Sequence, residues 1–144
     1  MNTKIVMASS AILLGAAGVV LTFVPDELVR YMRWAPMESL LFVVQLLGAL
    51  YFAFGMLNWM AKGSLIGGIY NRPIAIANLS HFLIAGLALA KGLIAHPDLP
   101  LSVCLIGIVY IVFTVLFGII LFRHPLSQPS QHDSKTNKPV EYHQ

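Results

Sequence analysis

The sequence predicts an all-α fold, an integral membrane four-helix bundle with short loops, an interfacial helix and a disordered C-terminal tail. Hydrophobic residues make up 58% of the chain and charged residues only 10%, whereas about 25% of residues are charged in typical soluble domains. The apolar residues form four continuous runs, at residues 5–24, 39–60, 74–94 and 101–122. A domain of this size cannot bury so much apolar surface within itself, so lipid is the expected solvent.

Each run is close to the ~20 residues that a helix needs to cross about 30 Å of hydrocarbon. Helices are expected because lipid offers no hydrogen-bond partner to free backbone groups. Barrel strands would instead alternate apolar and polar residues over about ten positions, and these runs do not alternate. The runs therefore predict one domain, residues 1–122, with four transmembrane helices.

The first run has to be compared with a signal peptide, because Lys4 precedes it. The apolar part of a signal peptide is typically about 7–15 residues long and ends at a small-residue cleavage site. This run is longer and leads directly into Pro25, Asp26 and Glu27. We expect it to be retained as a membrane anchor.

Residues 26–34 predict a short helix that lies on the membrane, on the side away from the cytoplasm, and ends before Pro36. At 3.6 residues per turn, Leu28, Tyr31 and Met32 share one face of this helix. Tyrosine and tryptophan, both present here, favour the headgroup region. The helix is either an ordinary amphipathic connector or a lid over a cavity, and the sequence favours the connector.

The lysine and arginine distribution predicts the orientation, because cytoplasmic loops of membrane proteins carry more of these residues. The side that holds the N-terminus, the loop at residues 61–73 and the tail carries six of the nine: Lys4, Lys62, Arg72, Arg123, Lys135 and Lys138. The other side carries Arg30, Arg33 and Lys91. We therefore expect a multi-pass protein of the inner (plasma) membrane with both termini cytoplasmic.

Residues 123–144 are rich in Pro, Ser, Gln and Lys and contain little to bury. This composition predicts a disordered cytoplasmic tail. The net charge of +3 is small and scattered, so no nucleic-acid partner is expected. Cys104 is the only cysteine, and we predict neither a metal site nor a cofactor.

Polar residues inside the runs are predicted to gather near the cytoplasmic face. At 1.5 Å per residue, Asn58, Asn78 and His81 lie roughly 3, 6 and 10 Å from that face. The other runs contribute serine and threonine at roughly 6–12 Å. The resulting candidate polar pocket consists of Ser9, Ser10, Asn58, Asn78, His81 and Thr114.

Small residues follow the same face of the third run as the polar ones. Ala85, Ala88 and Gly92 continue the spacing of three and four residues that begins at Asn78 and His81. Small residues allow transmembrane helices to approach closely. We therefore expect this face to pack inward against the first two spans, which carry small residues of their own.

His81 has two interpretations, and the sequence leaves both open. An ionisable residue within a span marks a functional site by default, which suggests ligand binding or proton handling. Asn78 lies one turn away and could instead bond to the imidazole and tie helices together. Haem is a weak variant of the functional interpretation, because only one histidine lies within a span and bundle haems usually have two axial ligands.

Catalytic residues are not predicted, since the acids avoid the spans and no Ser-His-Asp or HExxH arrangement is present. The first expectation is a non-enzymatic protein with a structural or partner-assembly role, whose partners are the lipid bilayer and either further copies of itself or another membrane protein. The alternative is a binder of a quinone, lipid or other hydrophobic molecule, or a redox accessory protein, that uses the polar pocket around His81.

Two phrases resemble a known group of proteins. Phe-x-Pro-Asp-Glu-Leu at residues 23–28 and NWMAKGSLIGGIYNRP at residues 58–73 are similar to phrases in small four-helix bacterial membrane proteins of the DoxX-like and conserved-hypothetical kind. The resemblance covers most of the spans but not the tail. It implies a prokaryotic inner-membrane location, and it assigns no functional residue because the group has no common chemistry.

Overall fold

The structure is a computed structural model that describes residues 2–63 and 71–123. Within these two segments all regular secondary structure is α-helical, in the order α1 Thr3–Phe23, α2 Pro25–Tyr31, α3 Glu38–Ala61, α4 Arg72–Ala95 and α5 Leu101–Arg123. Helices α1, α3, α4 and α5 are long and apolar enough to cross a membrane, which indicates a multi-pass membrane protein with a helical bundle. The predicted disordered tail, apart from Arg123 at the end of α5, lies outside the described residues.

The helix ends follow local signals in the sequence. The Asn2 side chain caps α1 by accepting a hydrogen bond from the Lys4 backbone N–H at 3.1 Å. Pro25 separates α1 from α2 and occupies the first turn of α2, where its missing N–H costs nothing. The four long helices begin and end within two residues of the predicted runs, while α2 ends at Tyr31, earlier than residues 26–34 had predicted.

Helices α1 and α3 form a tightly packed antiparallel pair. A Cβ atom added to Gly18 would lie 2.8 Å from the Gly48 carbonyl oxygen, and one added to Gly55 would lie 2.7 Å from the Gly15 backbone nitrogen. The atoms in the way are backbone, so a larger residue at Gly18 or Gly55 would push the helices apart. Glycine therefore allows direct contact between the two backbones, as in other closely packed membrane helices.

Helices α4 and α5 form the second antiparallel pair, which is packed through side chains. A Cβ atom on Gly86 would lie at an ordinary 3.6 Å from the Tyr110 Cβ. We expected α4 to pack closely with the first two spans, but its main neighbour is α5. The expectation was wrong because small residues permit a close helix contact but do not determine which helix makes it.

The two pairs meet through large side chains at one end of the bundle and separate at the other. At the end that holds the start of α1, Met7 of α1, Phe82 of α4 and Phe117 of α5 are fully buried. The Phe82 ring stacks on Phe113 and Phe117, with centroids 4.8 and 5.7 Å away. We call this the closed end, and the opposite end, where α2 lies, the α2 end.

Candidate functional site

A hydrogen-bonded cluster joins three helices near the closed end. The Asn58 side-chain nitrogen donates to Ser10 Oγ at 3.1 Å and to Asn78 Oδ1 at 2.7 Å. Asn78 returns a bond to Asn58 Oδ1 at 2.8 Å and donates to the Ile74 carbonyl at 2.9 Å. Ser10, Asn58 and Asn78 are each fully buried, and we call them the polar layer.

The polar layer uses all of its amide hydrogens within the protein. Each asparagine has two amide hydrogens, and each of the four has an acceptor. The Ser10 hydroxyl donates to the Met7 carbonyl at 2.9 Å while accepting from Asn58. A buried cluster with its donors satisfied holds helices together and offers no free donor to a ligand.

Two other predicted pocket residues bond to their own helix instead. Ser9 is exposed, and its hydroxyl donates to the Ile5 and Val6 carbonyls at 2.9 and 3.1 Å. Thr114 donates to the Tyr110 carbonyl at 2.8 Å. The structure therefore brings together three of the six predicted residues through hydrogen bonds.

His81 lies among aromatic rings. Its ring centroid is 5.2 Å from Tyr51, 5.4 Å from Phe54, 5.2 Å from Phe82 and 5.8 Å from Tyr110. Within the described residues no hydrogen bond joins Asn78 to His81, and both amide hydrogens of Asn78 go to other acceptors. The His81 Nε2 atom is buried and has no hydrogen-bond partner among the described residues.

Two tyrosines beside His81 bring their hydroxyl groups together. The Tyr110 hydroxyl donates to the Tyr51 hydroxyl at 2.9 Å, joining α5 to α3. Tyr110 is 4% exposed and Tyr51 is half-buried. The polar pocket predicted from the sequence did not include this pair. Both tyrosines lie in the middle of apolar runs, and a buried tyrosine hydroxyl usually has a hydrogen-bond partner. Their positions could therefore have indicated that the two hydroxyl groups meet.

A cavity of about 600 Å³ lies between the helix pairs in the half of the bundle towards α2. Its walls are apolar and come from all five helices, and Tyr51 and Tyr110 both line it. Ala85, Ala88 and Gly92 of α4 line it as well. The small face of α4 thus leaves space beside it, where we had predicted a close helix contact.

Helix α2 and the residues after it cover part of the cavity. Leu28, Met32 and Trp34 belong to its lining. The Tyr31 hydroxyl lies 3.2 Å from Ser102 Oγ, so the end of α2 contacts the start of α5. The face predicted from Leu28 and Met32 is therefore turned towards the cavity.

Arg33 turns the chain sharply where α2 ends. It has a positive φ of 61°, and the Trp34 N–H bonds to the Val29 carbonyl at 3.1 Å. Together with the bond from the Arg33 N–H to the Arg30 carbonyl at 2.9 Å, this is a Schellman motif, in which the left-handed position is usually glycine. The turn returns the chain towards the bundle and places Trp34 against the cavity.

The cavity lining limits the chemistry that can occur there. Among the described residues that line it there is no Asp, Glu, Lys or Arg, and the polar side chains are Tyr51, Tyr110, Trp34 and His96. Within the described residues, no group of three His, Cys, Asp or Glu side chains could hold a metal ion. The arrangement can hold a molecule by apolar contact and by a small number of hydrogen bonds.

No protein-family model, curated protein or solved structure matches this chain. The geometry of the cavity and its surroundings is therefore the basis for a function.

Proposed function

We propose that this chain is an inner-membrane protein that binds a small hydrophobic molecule in the cavity between its two helix pairs. The observation that carries the proposal is the cavity itself, about 600 Å³ with apolar walls and a tyrosine pair in its lining. Binding sites for small molecules commonly have about 300–1,000 Å³ of mostly apolar space with a few placed polar groups. A protein with a purely structural role would not need an internal space of this size.

Binding is better supported than catalysis or a purely structural role. The polar layer and the glycine contacts of α1 with α3 already hold the bundle together, and they lie outside the cavity lining. The cavity brings no acid–base pair next to a nucleophile, which most hydrolytic mechanisms need. The proposed binding site therefore lies in the half of the bundle towards α2 and not in the pocket predicted around Asn58 and Asn78.

We further propose that both termini are cytoplasmic, which places the α2 end at the outer face of the membrane. The distribution of lysine and arginine supports this orientation. Aromatic residues suited to the headgroup regions lie at both ends of the bundle. Tyr31 and Trp34 are exposed at the α2 end, and Trp59 is exposed at the closed end, where the Lys62 ammonium lies 2.8 Å from its ring centroid.

The orientation is tested with an impermeant thiol reagent in intact cells. In a Cys104→Ser background, Glu38→Cys should label and Gly63→Cys should label only after the membrane is opened. Labelling of Gly63→Cys in intact cells would contradict the orientation.

Ligand binding is tested by filling the cavity. Ala17 of α1 lines it, whereas the neighbouring Ala16 is exposed and does not. The protein is placed in lipid nanodiscs, and the retention of radiolabelled diphenylmethane, a neutral apolar probe, is measured above that of empty nanodiscs. We expect saturable retention by the wild type and by Ala16→Phe, and at least about a tenfold weaker affinity in Ala17→Phe, because the phenyl ring occupies the space of the probe.

A phospholipid acyl chain is the competing occupant of the cavity. Native mass spectrometry of the same preparations identifies what remains bound. Retention of a small molecule that Ala17→Phe loses and Ala16→Phe keeps supports the proposal. Equal probe retention in both variants, or a bound phospholipid that the probe cannot displace, would contradict it.

A further inference from the structure

The two tyrosine hydroxyl groups leave one hydrogen without an acceptor. Together Tyr51 and Tyr110 carry two hydroxyl hydrogens, and their mutual bond of 2.9 Å uses one of them. The described residues form no other bond to either hydroxyl. This count is the same whichever tyrosine donates, so one O–H donor remains beside the cavity.

The free donor lies deep in the bundle. Tyr110 is nine residues after Leu101 at the start of α5, which is roughly 14 Å along the helix from the α2 end. Tyr51 is correspondingly roughly 20 Å from the start of α3. Leaving a donor unsatisfied in such apolar surroundings is unfavourable, and an acyl chain that entered the cavity would bring no acceptor to it.

The charge of the lining excludes ionised ligands. A carboxylate or an amine would need a compensating charge, and the described part of the lining contains no acidic or strongly basic side chain. An alcohol would bring a donor of its own, and the acceptors that the tyrosine pair offers it are two phenolic oxygens already engaged in their mutual hydrogen bond. The unused nitrogen near the tyrosines, His81 Nε2, is buried, and His81 is not part of the cavity lining.

We propose that the ligand is a neutral carbonyl compound that enters with its carbonyl oxygen leading and accepts a hydrogen bond from the Tyr51–Tyr110 pair. A carbonyl supplies an acceptor and adds no new donor. The apolar remainder of the molecule then fills the space towards α2. This inference rests on the proposed binding function and names the chemical class of its ligand.

Two probes of the same shape test this inference. Benzophenone carries a carbonyl where diphenylmethane carries a methylene, and each is measured in nanodiscs with the wild type and with two variants. Tyr110→Phe leaves the Tyr51 hydroxyl free to donate, and the double variant Tyr51→Phe, Tyr110→Phe removes both donors. Replacing both partners by apolar groups of the same shape is nearly neutral for stability, so the double variant is expected to fold.

We expect the wild type to bind benzophenone roughly fivefold more tightly than diphenylmethane, a preference typical of one neutral hydrogen bond. Tyr110→Phe should keep this preference. In the double variant the ratio of the two affinities should fall to about one, with diphenylmethane binding unchanged. Comparing the ratio between proteins cancels any difference in how the probes dissolve in lipid.

The outcomes separate this inference from the proposed function. If diphenylmethane binds and Ala17→Phe blocks it, but the wild type does not prefer benzophenone, the carbonyl inference is overturned and the binding function stands. A preference that survives in the double variant would also overturn it. If neither probe binds in a saturable manner, the proposed function itself fails.

Discussion

The polar layer and the tyrosine pair both place polar groups in apolar surroundings, but they differ in what they leave unbonded. In the polar layer of Ser10, Asn58 and Asn78, every amide hydrogen has an acceptor within the protein. In the tyrosine pair, one hydroxyl hydrogen is left over beside a cavity. A satisfied cluster contributes to stability, whereas an unsatisfied donor next to open space is suited to a ligand.

Backbone packing differs between the two regions in the same way. Near the polar layer, Gly55 touches the backbone of Gly15 and Ala11 across the α1–α3 contact. Beside the cavity, a Cβ atom on Gly92 would meet nothing within 4 Å. Small residues thus bring helices together in one region and leave open space in the other.

The largest expected effect comes from breaking the helix contact near the polar layer. The added Cβ of Gly55→Ala would lie 2.7 Å from the Gly15 nitrogen and 2.9 Å from the Ala11 carbonyl oxygen. Overpacking of this kind typically costs about 1–3 kcal/mol of unfolding free energy. Thermal unfolding in nanodiscs measures it. Gly15→Ala, whose Cβ would meet nothing within 4 Å, is the matched control, and equal stability of the two variants would contradict a close backbone contact at Gly55.

A smaller effect is expected from opening the polar layer itself. Asn58→Leu keeps the branched outline of the side chain, in a somewhat larger residue, but leaves groups of Ser10 and Asn78 without partners, so we expect a loss of about 1–2 kcal/mol in unfolding free energy. The double variant Asn58→Leu, Asn78→Leu should lose less than the single one, because it removes both members of the amide pair.

The same variants also separate the two regions. Diphenylmethane binding should survive in Asn58→Leu wherever the protein remains folded, since Asn58 is not part of the cavity lining. Loss of binding in a folded Asn58→Leu protein would show that the polar layer and the cavity act together.

The smallest effect is expected at His81. Because its Nε2 makes no hydrogen bond to the described residues and four rings surround the imidazole, His81→Phe should change the unfolding free energy by less than about 1.5 kcal/mol. His81→Ala should cost more, since it leaves a void among these rings. Both variants should keep diphenylmethane binding. A folded His81→Phe protein that no longer bound the probe would favour the ligand-binding interpretation of this histidine.

The sequence alone predicted the helices, because run length and continuous hydropathy are local properties and hydrocarbon permits few other backbone structures. It also placed Ser10, Asn58 and Asn78 at similar depths, since each residue of a helix advances the chain by about 1.5 Å. Depth did not separate Ser10 from Ser9. Successive residues of a helix point about 100° apart, so only one of these neighbours can face Asn58.

The tertiary structure decided which small residues make contacts and which line a cavity. Gly18 and Gly48 touch, whereas Ala88 and Gly92 line open space, although both sets look alike as a spacing of small residues. The tyrosine pair likewise joins residues that are 59 positions apart in the chain. Such outcomes depend on which helix becomes the neighbour and at what distance. Large rings such as Phe82 and Phe117 fill the closed end between the helix pairs, and smaller residues leave the space beside α2 open.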